Sequence, residues 1–110
     1  MFVKVIIQRP IQEGNERNAY ELLKKIRSSA MDHPGYVTGE TLVSTDNPRE
    51  IMVISTWESM EDWSSWKASE ERKALDAKLE KIQTHPTTYK PYTLSKFRIS
   101  VRKGFPEALG

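Results

Sequence analysis

The sequence predicts one α+β domain, a four-stranded antiparallel sheet with its helices on one face, and three observations predict it. β-branched stretches and stretches of helical periodicity alternate along the chain in the order β-α-β-β-α-β. Only the turn cluster Thr45 to Arg49 separates the second and third strands, which makes them an antiparallel hairpin. The strands also carry apolar residues of both parities, so the sheet asks for cover on both sides. This order is the ferredoxin-like split βαβ plan.

Each element has its own grounds. From Phe2 to Arg9, the residues Val3, Val5 and Ile7 share one side of a strand, and Phe2, Lys4, Ile6 and Gln8 share the other. Pro10 weakens any continuation of the ladder. A helix is predicted from Asn15, its N-cap, to Ala30, with Ala19, Leu22, Leu23, Ile26 and Ala30 on the buried face. His33-Pro34-Gly35 ends it. The second strand runs from Tyr36 to Ser44, and Gly39 within it signals a bulge or a close backbone approach. The third runs from Ile51 to Trp57. Ser59 caps a helix carrying Trp63 and Trp66, and Ser69 reads as a second cap for a helix running through Leu75 and Leu79 to Ile82. One kinked helix and two separate helices fit this stretch equally. The last strand is predicted over Thr88 to Val101, with Phe97, Ile99 and Val101 inward and Lys96, Arg98 and Arg102 outward. The domain therefore spans residues 1–103, and residues 104–110 form a tail.

Composition narrows the functional classes. With 110 residues and 37% apolar content, the core is modest. A sheet apolar on both faces then predicts a homodimer packed sheet to sheet. The formal net charge of +2 is spread along the chain, which argues against nucleic acid as partner. The basic run Lys96, Arg98, Arg102 and Lys103 could bind an anion, but the favoured reading is the charged edge of a strand guarded against aggregation. There is no cysteine, which excludes disulfides and thiolate chemistry. Neither a signal peptide nor a membrane span is predicted, so the expected location is cytoplasmic, with no membrane partner.

The chain is organised around Ile51 to Ile82, which holds all three tryptophans. Within it, Val53-Ile54-Ser55-Thr56-Trp57, Glu58-Ser59 and the run Asp62 to Lys67 form a strand, a tryptophan, a cap and a helix with further tryptophans. Met31 to Ser44 adds a helix end, a Pro-Gly turn and a strand. Over about residues 2 to 95 this pattern resembles the antibiotic biosynthesis monooxygenase (ABM) domains of the dimeric α/β-barrel superfamily. The resemblance implies a dimeric barrel and a monooxygenase acting on a small molecule. The family includes cofactor-independent oxygenases of polyketide quinones and haem-degrading enzymes. The haem-degrading branch uses an Asn at the end of the first strand, a helix Trp and an iron-ligating His. Those positions fall near Gln8, on Trp66 and on Asp76. An Asp in place of the proximal imidazole disfavours haem, and the expected cofactor is none.

The candidate site residues follow. Trp57, Trp63 and Trp66 either line an aromatic pocket or fill a small core. Trp66, which matches a catalytic position of the family, is the first candidate. Gln8 could hydrogen-bond a substrate carbonyl or be an ordinary strand-end polar residue. Asp76 could act as a base or be an exposed helix acid. Tyr89 could reach a pocket as a donor or belong to the dimer packing. His33 and His85 read as turn residues, and no metal site is predicted. The expected function is cofactor-independent oxidation of a planar aromatic or quinone-like molecule. The alternatives are a non-catalytic ligand-binding or stress-related dimer and, less favoured, a haem-degrading monooxygenase.

Overall fold

Alternation along the first strand sets the two faces of the sheet. A computed structural model describes residues 1–93. In it β1 (Val3–Pro10) turns Val3, Val5, Ile7 and Arg9 inward, all nine-tenths or more buried. Phe2, Lys4, Ile6 and Gln8 point to the opposite side. The chain continues through α1 (Glu16–Met31), β2 (Tyr36–Val43), β3 (Glu50–Trp57), α2 (Met60–Ala68), α3 (Glu70–Glu80) and β4 (Thr88–Thr93). The strand order is β2-β3-β1-β4, with every neighbouring pair antiparallel. The fold is the ferredoxin-like α+β plan, with all three helices over the inner face.

Local signals explain where the elements begin and end. The Ser59 hydroxyl accepts from the Asp62 amide at 3.1 Å and starts α2. The Ser69 hydroxyl accepts from the Arg72 amide at 3.2 Å and starts α3. Ser69 itself is extended (φ −66°, ψ 142°), so the tryptophan segment is two helices and not one kinked helix. Asn15 occupies the N-cap position of α1, but its side chain makes no capping bond to the backbone. Gly39 answers to the close-approach reading. The register shift lies between Tyr36 and Thr38, while the Tyr36 hydroxyl sits against Gly39 where a Cβ would be.

The turn between α1 and β2 needs its glycine. Gly35 has φ +89°, a left-handed conformation, and its Cα faces the Asp62 side chain so closely that a Cβ would overlap the carboxyl group. Its carbonyl accepts from the Glu58 amide at 2.8 Å. This bond ties the turn to the point where β3 becomes α2.

The core has two neighbouring parts. One gathers Val3, Val5, Ile7, Ala30, Trp57, Trp63 and Trp66. The other gathers Ile11, Ala19, Leu23, Ile51 and Leu79, and Ile26 and Val53 pack against both. Leu75 is only half-buried. On α3 it is Arg72 that is buried alongside Leu79.

Among the described residues nothing covers the outer face. Phe2, Leu42 and Tyr92 are exposed there, and Ile6, Met52 and Ile54 are half-buried. The expectations for Phe97, Ile99, Val101, the basic run Lys96 to Lys103 and the boundary at 103 lie outside the described residues.

Candidate functional site

An aromatic stack fills the space between α2 and the β1–β3 pair. Trp57 ends β3 on its inward parity and is fully buried, while Trp63 and Trp66 are 3% and 4% exposed. The Trp57 ring lies 6.0 Å from that of Trp66 at 24°, a stacked arrangement, and 6.0 Å from that of Trp63 at 56°. Tyr36 meets Trp57 edge-on at 5.4 Å. His33 touches both Trp57 (6.1 Å) and Trp66 (5.5 Å), and its Nε2 lies 3.2 Å from Ser65 Oγ. The Trp57 indole N–H donates to Ser55 Oγ at 3.1 Å, so its one polar atom is satisfied inside the core.

Beside the stack lies a buried polar cluster. Tyr89, inward on β4, packs its ring 5.9 Å from Trp63. Its hydroxyl donates to Asp76 Oδ1 at 3.1 Å and accepts from Arg72 Nη1 at 2.9 Å. Asp76 also receives Arg9 Nη1 at 2.8 Å and stands 3.6 Å from Arg72 Nη1. Arg9 Nη1 reaches Thr87 Oγ1 (2.9 Å) and Gln83 Oε1 (3.2 Å), with Glu80 at 4.0 Å. Arg72 Nε donates to the Lys67 carbonyl at 2.8 Å. Two guanidinium groups are thus matched by two carboxylates, which is the condition for burying charge in a core. Desolvation by burial is the main reason that the Tyr89 phenol is pushed above its ordinary value of 10.0; Arg9 and Arg72 oppose this and Asp76 adds to it. The phenol therefore keeps its proton at neutral pH and can donate it.

Two spaces adjoin these groups. A cavity of about 50 Å³ lies between α1 and the sheet, lined by Leu23, Ile26, Tyr36, Val53, Trp57 and Trp66. At its edge Arg27 Nη2 donates to the Gly39 carbonyl at 2.8 Å and joins α1 to β2. A larger cleft of about 500 Å³ opens at the far end of the sheet, among Gln8, Leu42, Met52, His85 and Thr88.

The structure brings Trp57, Trp63, Trp66, Tyr89 and Asp76 together. It does not bring Gln8 to them. Gln8 shares the parity of Lys4 and Ile6, so it sits exposed on the outer face, where Thr88 Oγ1 donates to its Oε1 at 3.4 Å. It lines the outer cleft instead. Asp76 is not an exposed helix acid; two arginines and a tyrosine engage it. His33 stays in its turn but also packs on the tryptophans. Among the described residues, no group of three or more His, Cys, Asp or Glu side chains could hold a metal. Arg9 and Arg72 are the residues that the sequence reading missed. Their signals were present: Arg9 has the parity of Val3, Val5 and Ile7, and Arg72 lies seven positions before Leu79 and four before Asp76.

Known proteins share both the sequence pattern and the fold. Protein SchA of Streptomyces halstedii is 24% identical over 78 residues, which is 71% of this chain and 20% of SchA. The 42.8 kDa protein in the whiE locus of Streptomyces coelicolor is 26% identical over 69 residues, which is 63% of this chain and 17% of that protein. The chain thus spans about a fifth of the length of these curated relatives. Among solved structures, SnoaB of Streptomyces nogalater, described as a cofactor-independent oxygenase, superposes with a TM-score of 0.78 at 14% identity. The match covers 87% of this chain and 95% of SnoaB, and at that identity it shows the shared fold. The model of the antibiotic biosynthesis monooxygenase family matches residues 2–78, from the start of β1 into α3, and so takes in the tryptophan stack and Asp76. The chain belongs to the antibiotic biosynthesis monooxygenase family.

Proposed function

We propose that this protein is a monooxygenase that needs no cofactor and oxidises a planar aromatic or quinone-like small molecule. The observation that carries the reading is the Tyr89–Asp76 pair, held by Arg72 and Arg9 against the tryptophan stack. The substrate hydroxyl gives up its proton towards the Tyr89–Asp76 pair, which lies at the other end of the tryptophan stack from the cavity, and a substrate anion remains. That anion transfers one electron to dioxygen. The radical pair combines to a peroxide, and loss of water leaves one oxygen atom in the product. Trp66 supplies the flat apolar surface against which the ring is held. SnoaB, described as a cofactor-independent oxygenase, supports the absence of a cofactor by its shared fold.

The cavity beside Trp66, about 50 Å³, has room for one or two waters. Ring entry therefore requires α1 to part from β2, and the Arg27–Gly39 bond is the contact that breaks. The residues present do not fit haem. Asp76 stands at the position where haem-degrading relatives carry histidine, and its carboxylate is engaged by Arg9, Arg72 and Tyr89. Gln8 is on the other face of the sheet.

Oxygen uptake with an anthrone-type substrate tests the reading. Trp66→Phe is expected to lower turnover roughly tenfold, through the loss of ring contact. Asp76→Asn is expected to lower it by about 100-fold, through the loss of the proton acceptor. Unchanged turnover in both variants would overturn the site assignment, and no uptake by the wild-type protein would overturn the activity.

On the same reading the protein is a cytoplasmic homodimer joined through the outer face, where Phe2, Leu42 and Tyr92 are exposed. No helix among the described residues is long and apolar enough to cross a membrane. Sedimentation at micromolar concentration is expected to give twice the 12.7 kDa chain mass, and Leu42→Lys is expected to shift the protein towards that single-chain mass. A 12.7 kDa species in the wild-type protein would refute the dimer.

A further inference from the structure

The aromatic residues form a continuous path, and at its Tyr89 end a carboxylate accepts the phenolic hydrogen. Trp66 and Trp57 line the small cavity. Ring centroids follow at 6.0 Å from Trp66 to Trp57, 6.0 Å from Trp57 to Trp63 and 5.9 Å from Trp63 to Tyr89. Each step is a side-chain contact, and electron transfer falls steeply with separation, so contact is the geometry that permits it. Tyr89 then donates its hydroxyl hydrogen to the Asp76 carboxylate.

We propose that Trp66, Trp57, Trp63 and Tyr89 carry an oxidising equivalent out of the cavity and deliver it to Tyr89, with Asp76 as the proton acceptor. The biological oxidant is an oxygen-centred radical that fails to react with substrate, and to that extent the proposal rests on the oxygenase reading. The radical takes one electron from Trp66. Electrons move inward in turn from Trp57, Trp63 and finally Tyr89. As Tyr89 loses its electron, its phenolic proton passes to Asp76. The oxidant is reduced by one electron, Tyr89 becomes a neutral radical and Asp76 becomes protonated. A small reductant of the thiol or ascorbate class then returns one electron to half-buried Tyr89, and Asp76 returns the proton.

Charge explains why the path ends where it does. Lys67 Nζ lies 4.7 Å over the Tyr89 ring, and Arg72 Nη1 lies 2.9 Å from its hydroxyl. These cations oppose a positively charged tyrosine but not a neutral radical, so oxidation there requires the proton to leave at the same time. Asp76 permits this. Tyr36 also touches Trp57, at 5.4 Å, yet among the described residues its hydroxyl hydrogen has no carboxylate to receive it.

The chain has four tyrosines and three tryptophans, and all three tryptophans lie on the path. A laser pulse that photoionises the indoles therefore starts the process without substrate or added oxidant, independently of the oxygenase reading. The full-length protein is used in a background of Tyr20→Phe and Tyr92→Phe, which removes the two exposed tyrosines. Transient absorption is expected to show the tryptophanyl signal decaying as a tyrosyl signal rises. Tyr36→Phe is expected to leave that rise intact. Tyr89→Phe, which keeps the ring, is expected to abolish most of it and leave a long-lived tryptophanyl signal. Asp76→Asn is expected to slow the rise at least tenfold. A tyrosyl signal undiminished by Tyr89→Phe, or a tryptophanyl signal that never passes to tyrosine in the background protein, would overturn the proposal.

Discussion

Arg9→Leu is expected to destabilise the protein by about 3 kcal/mol, at the low end of what breaking a buried ion pair costs. The reason is the state of what remains. Arg9 is 3% exposed, and its Nη1 serves Asp76, Thr87 and Gln83 at once. Leucine fills part of the space but leaves the Asp76 carboxylate with the Tyr89 hydroxyl at 3.1 Å and, as its cation, Arg72 at 3.6 Å. Asp76 is partly open to water, which holds the loss at the lower end of the range. Urea unfolding measures the effect. The double variant Arg9→Leu/Asp76→Leu is expected to lose about 1–2 kcal/mol less than the sum of the two single losses, because it removes both charges together. A loss of less than about 1 kcal/mol from Arg9→Leu would mean that the pair is worth no more than one on the surface.

Gly35→Ala is expected to cost about 2–5 kcal/mol. A left-handed backbone costs alanine about 1–2 kcal/mol. The added Cβ also overlaps the Asp62 carboxyl group, and overpacking of this kind costs about 1–3 kcal/mol. Asp62 cannot simply swing away, since Ser59 Oγ donates to its Oδ2 at 2.9 Å within the cap of α2. Gly14 is the control. It has the same φ of +89°, and nothing lies within 4 Å of where its Cβ would stand, so Gly14→Ala is expected to cost only the backbone part, about 1–2 kcal/mol. Equal losses at the two glycines would show that the Asp62 contact contributes nothing. Since the Gly35 turn also positions His33 against Trp57 and Trp66, the Gly35 variant is expected to change tryptophan fluorescence as well.

Much of the fold was legible in local pattern, for identifiable reasons. Val3, Val5 and Ile7 alternate because a strand has period two, and the structure buries all three. Ala19, Leu23 and Ala30 repeat at helical spacing and are buried; Leu22 and Ile26 flank that stripe and are half-buried. Ser59 and Ser69 cap helices because a hydroxyl can satisfy a free backbone N–H. The site was legible only in part. Trp66, Asp76 and Tyr89 were read from the sequence as separate candidates, and the fold joins them. Gln8 was placed near them despite a parity that sets it with Lys4 and Ile6 on the outer face.

By itself, the sequence determined the element order, the two caps, the breaking turn at Gly35 and the apolar content of both sheet faces. These depend on interactions a few residues long, or on periodicities that the backbone imposes. Only the tertiary structure decided that Arg9, Arg72, Asp76 and Tyr89 form one cluster beside the tryptophans. Those residues come from β1, α3 and β4, and no local rule fixes which strand lies at the edge beside β1 or how far α3 slides along the sheet. A charged residue on an inward parity becomes acceptable only when its partners arrive from elsewhere in the chain. The physics of the buried charge was therefore settled by the assembled core.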